Sequence, residues 1–348
     1  MLVQPGISPK EKVNRGAIAT LREISGTAVN AVYELVISLT DLVFSLIQRI
    51  IGIRGMPYIF VLPNLLIFGI FILFPMLLNF VYAFTGGASF MPFDRPWAGT
   101  RNFERLLTCE NYFEPRTCSE DLFWRAVWNT ASYVVIQVSL MVLFSLITAL
   151  VLNRSIKGRG FFRSVYFYPV MLSPIVVALI WKWILQSDGL LNGILVSLGF
   201  NKLPFLTNAA WAQFWVVVIS VWAYMGFYTL ILLAGLQSIP TEMYEAAAID
   251  GANKWQSFWK ITMPLLRPTM LVVTVLSVIR AVQIFELVFA FTSGGPGTAT
   301  LYLVQYIYNY GFASPNKQYG LAAAASLLMA GALVILTLLQ LIFQRQEE

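Results

Sequence analysis

Histidine is absent from this chain of 348 residues, and cysteine occurs only twice, at Cys109 and Cys118. Without imidazoles and with a single pair of thiols, a zinc or haem centre lacks its usual ligands, so no metal site is expected. No GxxxxGK[ST] phosphate loop occurs either. The chain therefore carries no recognisable ATPase, and no cofactor is expected in it. Charge is scarce as well. Asp, Glu, Lys and Arg make up 11% of the residues, and the net charge of +6 is too scattered to suggest a nucleic-acid partner.

What is present is apolar. Hydrophobic residues account for 58% of the chain, more than a soluble fold can hide, which predicts an all-α polytopic membrane protein. Plentiful Trp and Tyr suit anchoring at the lipid–water boundary. Residues 1–29 are polar and basic, with Lys10, Lys12, Arg15 and Arg22, and show no signal-peptide pattern. Residues 30–51 form an apolar helix with one polar stripe, Glu34, Ser38, Asp41, Ser45 and Gln48. Such a helix lies in the interface or braces the bundle, or else adds a span. Six stronger runs follow, at about 58–84, 126–152, 164–186, 211–237, 269–291 and 321–343. The 153–163 link carries Arg154, Lys157, Arg159 and Arg163 without an acid, whereas 187–210 and 292–320 carry only Lys202 and Lys317 among basic residues. The positive-inside rule then puts both termini, the 153–163 link and the 241–268 loop in the cytoplasm, and the 85–125 loop outside. Cys109 and Cys118 fall in that outside loop, where either a disulfide or two free thiols is open.

The 241–268 loop is charged and amphipathic between two apolar runs. It reads as two short helices: Thr241 caps the first, Glu242 and Glu245 suit its dipole, and Ala246, Ala247 and Ala248 make a close-approach face. Asp250-Gly251 is the turn between them. Asn253 caps the second, Trp255, Phe258, Trp259 and Thr262 share one face, and Pro264 and Pro268 close it. In the fifth run Ser277, Arg280, Gln283 and Glu286 recur every three residues. A charge at Arg280's depth costs about 2.5–3.5 kcal/mol on insertion scales, so it must face a cavity or a partner.

Glu245-Ala246-Ala247, Asp250-Gly251-Ala252, Phe258, Ile261, Pro264 and Pro268 resemble, residue by residue, the EAA loop of binding-protein-dependent ABC importer permeases. Lys157-Gly158-Arg159-Gly160, Trp181-Lys182-Trp183, Leu236-Gln237-Ser238-Ile239-Pro240 and Thr292-Ser293-Gly294-Gly295-Pro296-Gly297 resemble the carbohydrate branch of maltose, trehalose and glycerol-phosphate importers, and the first of its two paired membrane subunits. The resemblance covers residues 57–343, leaving 1–56 as a separate N-terminal cytoplasmic segment. It implies a type I ABC importer (MetI-like) fold with six core helices, in the inner membrane of a bacterium or archaeon. It also implies a second permease, two cytoplasmic ATPase subunits that bind the ATP and Mg, and an external solute-binding protein.

By the same analogy Glu245 bonds a basic group on the ATPase, and Gly251 lets the two helices fold back. Trp255, Phe258 and Trp259 seat the loop in the ATPase cleft or against its own bundle. The pathway is lined by the fourth and fifth spans, with Ser220, Tyr224, Phe227, Tyr228, Ser277, Arg280, Gln283 and Glu286 as candidates and Trp222 as a further one. Lys182 snorkels toward headgroups or touches substrate. Where maltose-type subunits carry asparagines in the fifth span, this chain has Ala281, Gln283 and Ile284, which argues against a maltose-like pocket. An importer of amino acids or peptides, a stand-alone secondary transporter and a membrane enzyme are the rival readings. The membrane enzyme would need clustered catalytic side chains, which a chain without His and with its Asp and Glu mostly in loops does not offer.

Overall fold

The structure, a computed structural model, describes residues 30, 33–35, 37–38, 40–42, 44–45, 48–49, 51–154 and 157–345. The expectations for residues 1–29 lie outside them. No strand occurs among the described residues, only isolated bridges pairing Thr85 with Trp97 and Cys109 with Cys118. The chain divides into two units, Met1–Leu77 and Leu78–Glu348.

In the first unit the described residues of 30–51 are helical, and Glu34, Ser38, Asp41, Ser45 and Gln48 are all exposed. Ser38 and Ser45 donate to the carbonyls of Leu35 and Leu42 at 3.0 and 2.9 Å, so these polar groups are satisfied within their own helix. Helix α1, Ile53–Ala83, starts here, and the boundary between the units falls within it. It keeps Pro63 in its interior and widens to a π-turn at Gly69–Leu73.

The second unit continues with α2 (Arg101–Leu107), α3 (Asp121–Asn153), α4 (Arg159–Phe167), α5 (Pro174–Leu185) and α6 (Leu190–Ser197). Then come α7 (Ala209–Gln237), α8 (Thr241–Ile249), α9 (Lys254–Val282), α10 (Glu286–Phe291), α11 (Leu303–Tyr308) and α12 (Tyr319–Arg345). Among the described residues, six helical stretches are long and apolar enough to cross a membrane: α1, α3, Pro174–Ser197, α7, α9 and Tyr319–Ile342. Four of them match the expected runs to within a few residues.

Two expected spans are broken. The run at 164–186 is α4, then a 3-10 turn at Tyr168–Met171, then α5, because Pro169 and Pro174 cannot continue a helix that needs their missing N–H groups. The run at 269–291 stops at Val282 and restarts at Glu286, with Phe285 at φ −145° and ψ −67° between the two helices.

The core is built where α3, α7 and α9 pack together, on buried Met141, Val216, Ile219, Leu232, Leu266 and Val273. Close approach needs small residues. A Cβ at Gly226 of α7 would stand 2.2 Å from the Tyr166 carbonyl, so only glycine lets α4 cross there. Lys182 is turned inward and donates to the Ala290 carbonyl at 3.5 Å, at the carbonyl end of α10, in place of the expected outward snorkel.

A second, smaller core joins Leu106, Phe123, Leu301, Tyr306 and Leu321 beside the 85–125 segment. There Cys109 and Cys118 are joined in a disulfide, and Arg105 pairs with the buried Glu120.

Candidate functional site

The 241–268 loop turns as its sequence asks. Gly251 takes φ 79°, Ala252 N–H donates to Ala247 O at 2.8 Å, and Gly251 N–H donates to Ala248 O at 3.1 Å. Those two bonds are the six-to-one and five-to-two pair of a Schellman stop, which satisfies the last carbonyls of α8. Asn253 then caps α9 with a reciprocal box: its Oδ1 accepts from Gln256 N–H, and Gln256 Oε1 accepts from Asn253 N–H, both at 2.9 Å.

Two expectations fail here. Pro240, not Thr241, occupies the N-cap position of α8, and Thr241 makes no capping bond, because the fixed φ of proline already supplies the extended entry. Glu242 lies in the first turn of α8, with Glu245 just beyond it. Nor do Pro264 and Pro268 close the second helix, since α9 runs unbroken from Lys254 to Val282. A π-turn at Phe258–Thr262 precedes Pro264, and its wider turn accommodates a residue that lacks an N–H. The second half of the 241–268 loop and the fifth span are thus one continuous helical rod. Tyr244 Oη sits 3.0 Å from the Oγ1 of buried Thr262, which ties α8 to that rod.

The loop is polar, yet it presents large apolar groups without cover. Ile249 is 87% exposed, Trp255 69% and Trp259 51%, and the rings of Trp255, Phe258 and Trp259 cluster within 6.2 Å of one another. Ala247, Asp250, Gly251, Ala252, Gln256 and Lys260 line a shallow cavity between the two short helices. Ala246 and Glu245 are exposed on α8.

The break after Val282 serves a second site. Because the backbone leaves the helix at Gln283, the side chains of Arg280, Gln283 and Glu286 converge on a cavity of about 250 Å³ with Tyr224 and Tyr228 of α7. The Arg280 guanidinium stands 4.3 Å from the centre of the Tyr224 ring, an attraction worth about 0.5–2 kcal/mol when desolvated. Arg280 and Glu286 form no ion pair among the described residues, so both charges remain available to the cavity.

Four predicted lining residues lie outside this cavity. Ser220 and Ser277 are buried and donate to the Val216 and Thr274 carbonyls, while Phe227 stacks edge-on against Tyr228 from outside the cavity. Trp222 packs edge-on against Trp181.

Tyr133 and Gln137 of α3 complete the wall, and no sequence argument had singled them out. Gln137 is 4% exposed, and its Oε1 has no hydrogen-bond partner. A buried amide oxygen left unsatisfied costs about 1–3 kcal/mol unless a ligand or water engages it. The signal was available, since a glutamine midway along an apolar span must face protein. What the sequence did not disclose was the neighbour it faces. Among the described residues no group of His, Cys, Asp and Glu could hold a metal ion.

The family model described as "Binding-protein-dependent transport system inner membrane component" matches residues 141–347. The trehalose/maltose transport system permease protein MalF of Thermococcus litoralis is 35% identical over 272 residues, 78% of this chain and 87% of that protein. The lactose transport system permease protein LacF of Rhizobium radiobacter is 32% identical over 311 residues, 87% of this chain and 98% of that one. Among solved structures, a bacterial ABC transporter involved in the import of the acidic polysaccharide alginate aligns with a TM-score of 0.70. It covers 86% of this chain and 98% of its own at 24% identity, which speaks for the fold.

Proposed function

The chain belongs to the family of binding-protein-dependent transport system inner membrane components, and on that footing we propose that it is the translocation subunit of an ATP-driven importer of a sugar or sugar derivative. It acts beside a second, similar permease, two cytoplasmic ATPase subunits and an external solute-binding protein. ATP and Mg are bound by the ATPase subunits, and this chain performs no chemistry. The termini and the 241–268 loop face the cytoplasm, in keeping with the basic 153–163 link.

The observation that carries this reading is the loop itself: an exposed Ile249–Trp255–Trp259 patch on a segment continuous with α9. Exposed aromatics at the end of a rod suit a partner's cleft. Closure of the ATPase pair moves that rod, and its far end carries Arg280 at the cavity. Glu245, Ala246, Ala247, Asp250, Gly251 and Ala252 shape the docked face, with Trp255 and Phe258 seating it and Pro264 lying where the rod begins its apolar length. Cavity residues Tyr224 and Tyr228 supply ring faces for a sugar, and Arg280, Gln283, Glu286 and Gln137 supply partners for hydroxyls.

A second reading has an observation of its own. Arg280 and Glu286, unpaired in one cavity, would also suit the two charges of an amino acid. Calorimetry on the cognate solute-binding protein separates the two: saccharide binding supports the first, and amino-acid binding the second.

The direct functional test is Gly251→Val in the reconstituted complex. Placing a β-branched residue at φ 79° costs on the order of 1–2 kcal/mol, enough to distort the Schellman stop. The variant is expected to insert normally and to hydrolyse ATP while uptake falls about tenfold or more. Normal uptake would remove the lever role.

A further inference from the structure

A third cavity, of about 450 Å³, lies away from the passage, between the segment that follows α1 and the segment that precedes α12. Its wall carries Arg95, Arg101, Arg105 and Lys317 and no carboxylate. Arg105 is neutralised by Glu120 and also bonds Gln318 at 2.9 Å. The other three form no ion pair among the described residues. Arg95 is 7% exposed and is held without a counter-ion. Its Nε donates to Thr85 Oγ1 at 2.8 Å and one terminal nitrogen donates to the Ser89 carbonyl at 2.7 Å, while the rings of Tyr82 and Tyr319 lie 5.0 and 5.8 Å from the guanidinium carbon. Burial pulls this guanidinium below its ordinary value, and the two tyrosines act in the opposite sense. A buried charge with no opposite charge is costly unless something supplies one.

Position says what supplies it. Ala83 ends α1 and Tyr319 begins α12, and the two elements touch there: a Cβ on Gly320 would stand 2.3 Å from the Thr85 carbonyl. The ends of two membrane spans define headgroup level. The same segment that builds the cavity also exposes Phe90, Met91, Phe93 and Trp97, with Phe93 99% and Trp97 75% exposed. Rings of this kind, bare beside a span end, partition into the lipid interface.

We propose that this cavity binds the phosphate headgroup of an anionic phospholipid, with Arg101 and Lys317 as the direct contacts and Arg95 as the fixed charge behind them. The aromatic apron selects a lipid over a dissolved anion, because it seats the glycerol and upper acyl region beside the basic wall. The bound headgroup pins the 85–125 segment to the outer end of α12.

The test is native mass spectrometry of the purified full-length chain, released from micelles containing equal phosphatidylglycerol and phosphatidylcholine. The wild type is expected to retain phosphatidylglycerol preferentially. Arg101→Ser/Lys317→Ser is expected to lose about tenfold or more of that preference, and excess inorganic phosphate is expected not to strip the lipid. Both side chains are exposed, so folding is expected to survive. Arg101→Ser alone, read the same way, should fall between the two. Unchanged preference in both variants overturns the proposal. So does displacement by inorganic phosphate, which would mark a site for a free anion. Loss of solute-binding-protein capture with lipid preference intact would overturn it too, assigning the basic wall to a protein partner.

Discussion

At the scale of single residues, the passage turns on groups that the bilayer makes expensive. Arg280 stands out in the sequence because a charge at mid-span is costly. The three-residue spacing also draws in Ser277, however, and the helix break that brings Gln283 and Glu286 to the cavity is not readable from spacing. Tyr224 was a lining candidate too, but its contact with Arg280 was not readable from the sequence. Gln137 and Tyr133 were not candidates: which face of α3 meets α9 depends on packing between helices far apart in sequence, and periodicity within one helix does not report it.

Two outcomes follow for these residues. Arg280→Ala is expected to reduce uptake more than tenfold while complex assembly, read by size-exclusion chromatography, is unchanged; loss of assembly with normal residual uptake would make Arg280 structural. Gln137→Leu removes an unpartnered buried oxygen, so thermal stability should hold or rise by about 1 kcal/mol while sugar uptake falls. A fall in stability with uptake intact would instead make Gln137 a packing residue.

At the scale of elements, the joints decide what moves together. The Asn253 cap and the Asp250-Gly251 turn are readable from sequence, since local bonds depend on local sequence, while the return bond from Gln256 that completes the box is a finding of the structure. The continuity of α9 was not readable either. Pro264 and Pro268 read as helix terminators, and only the π-turn at Phe258–Thr262 lets the chain run through them. Likewise Pro169 and Pro174 break the third run, which hydropathy alone presents as continuous.

Asn253→Ala is expected to cost about 1 kcal/mol locally, seen as faster protease cleavage within the 241–268 loop and no change elsewhere. Just beyond the joint, Gln237 binds the neighbouring link. Its side-chain oxygen, in the amide orientation that satisfies its neighbours, accepts from Arg159 at 2.5 Å and Arg163 at 2.9 Å. That contact gives the Lys157–Arg163 stretch a packing role beside its topological one. On the opposite end, the Cys109–Cys118 bond closes a short loop, and its reduction is expected to cost about 2–3 kcal/mol in the stability of the 85–125 segment. Hydrogen exchange with and without reductant reads that directly.

At the scale of the whole molecule, composition alone established a polytopic helical membrane protein, and the loop motif pointed to the family that the comparison then showed. Membership accords with the six candidate spans among the described residues and with the scarcity of charge. In the importer proposed for it, other subunits would supply force and selection, and this chain a lever and part of a passage. The second half of the 241–268 loop and Arg280 lie on the single helix α9, the continuity that the proposed lever needs.

The account stands or falls on where that loop meets the world. Both native cysteines are bonded to each other, so a single introduced thiol reports without background. Ile249→Cys, labelled with a membrane-impermeant maleimide, is predicted to stay unlabelled in intact cells. It should label fully once cells are opened without the ATPase subunits, and be protected when those subunits are present. Labelling of Ile249→Cys in intact cells would contradict the account.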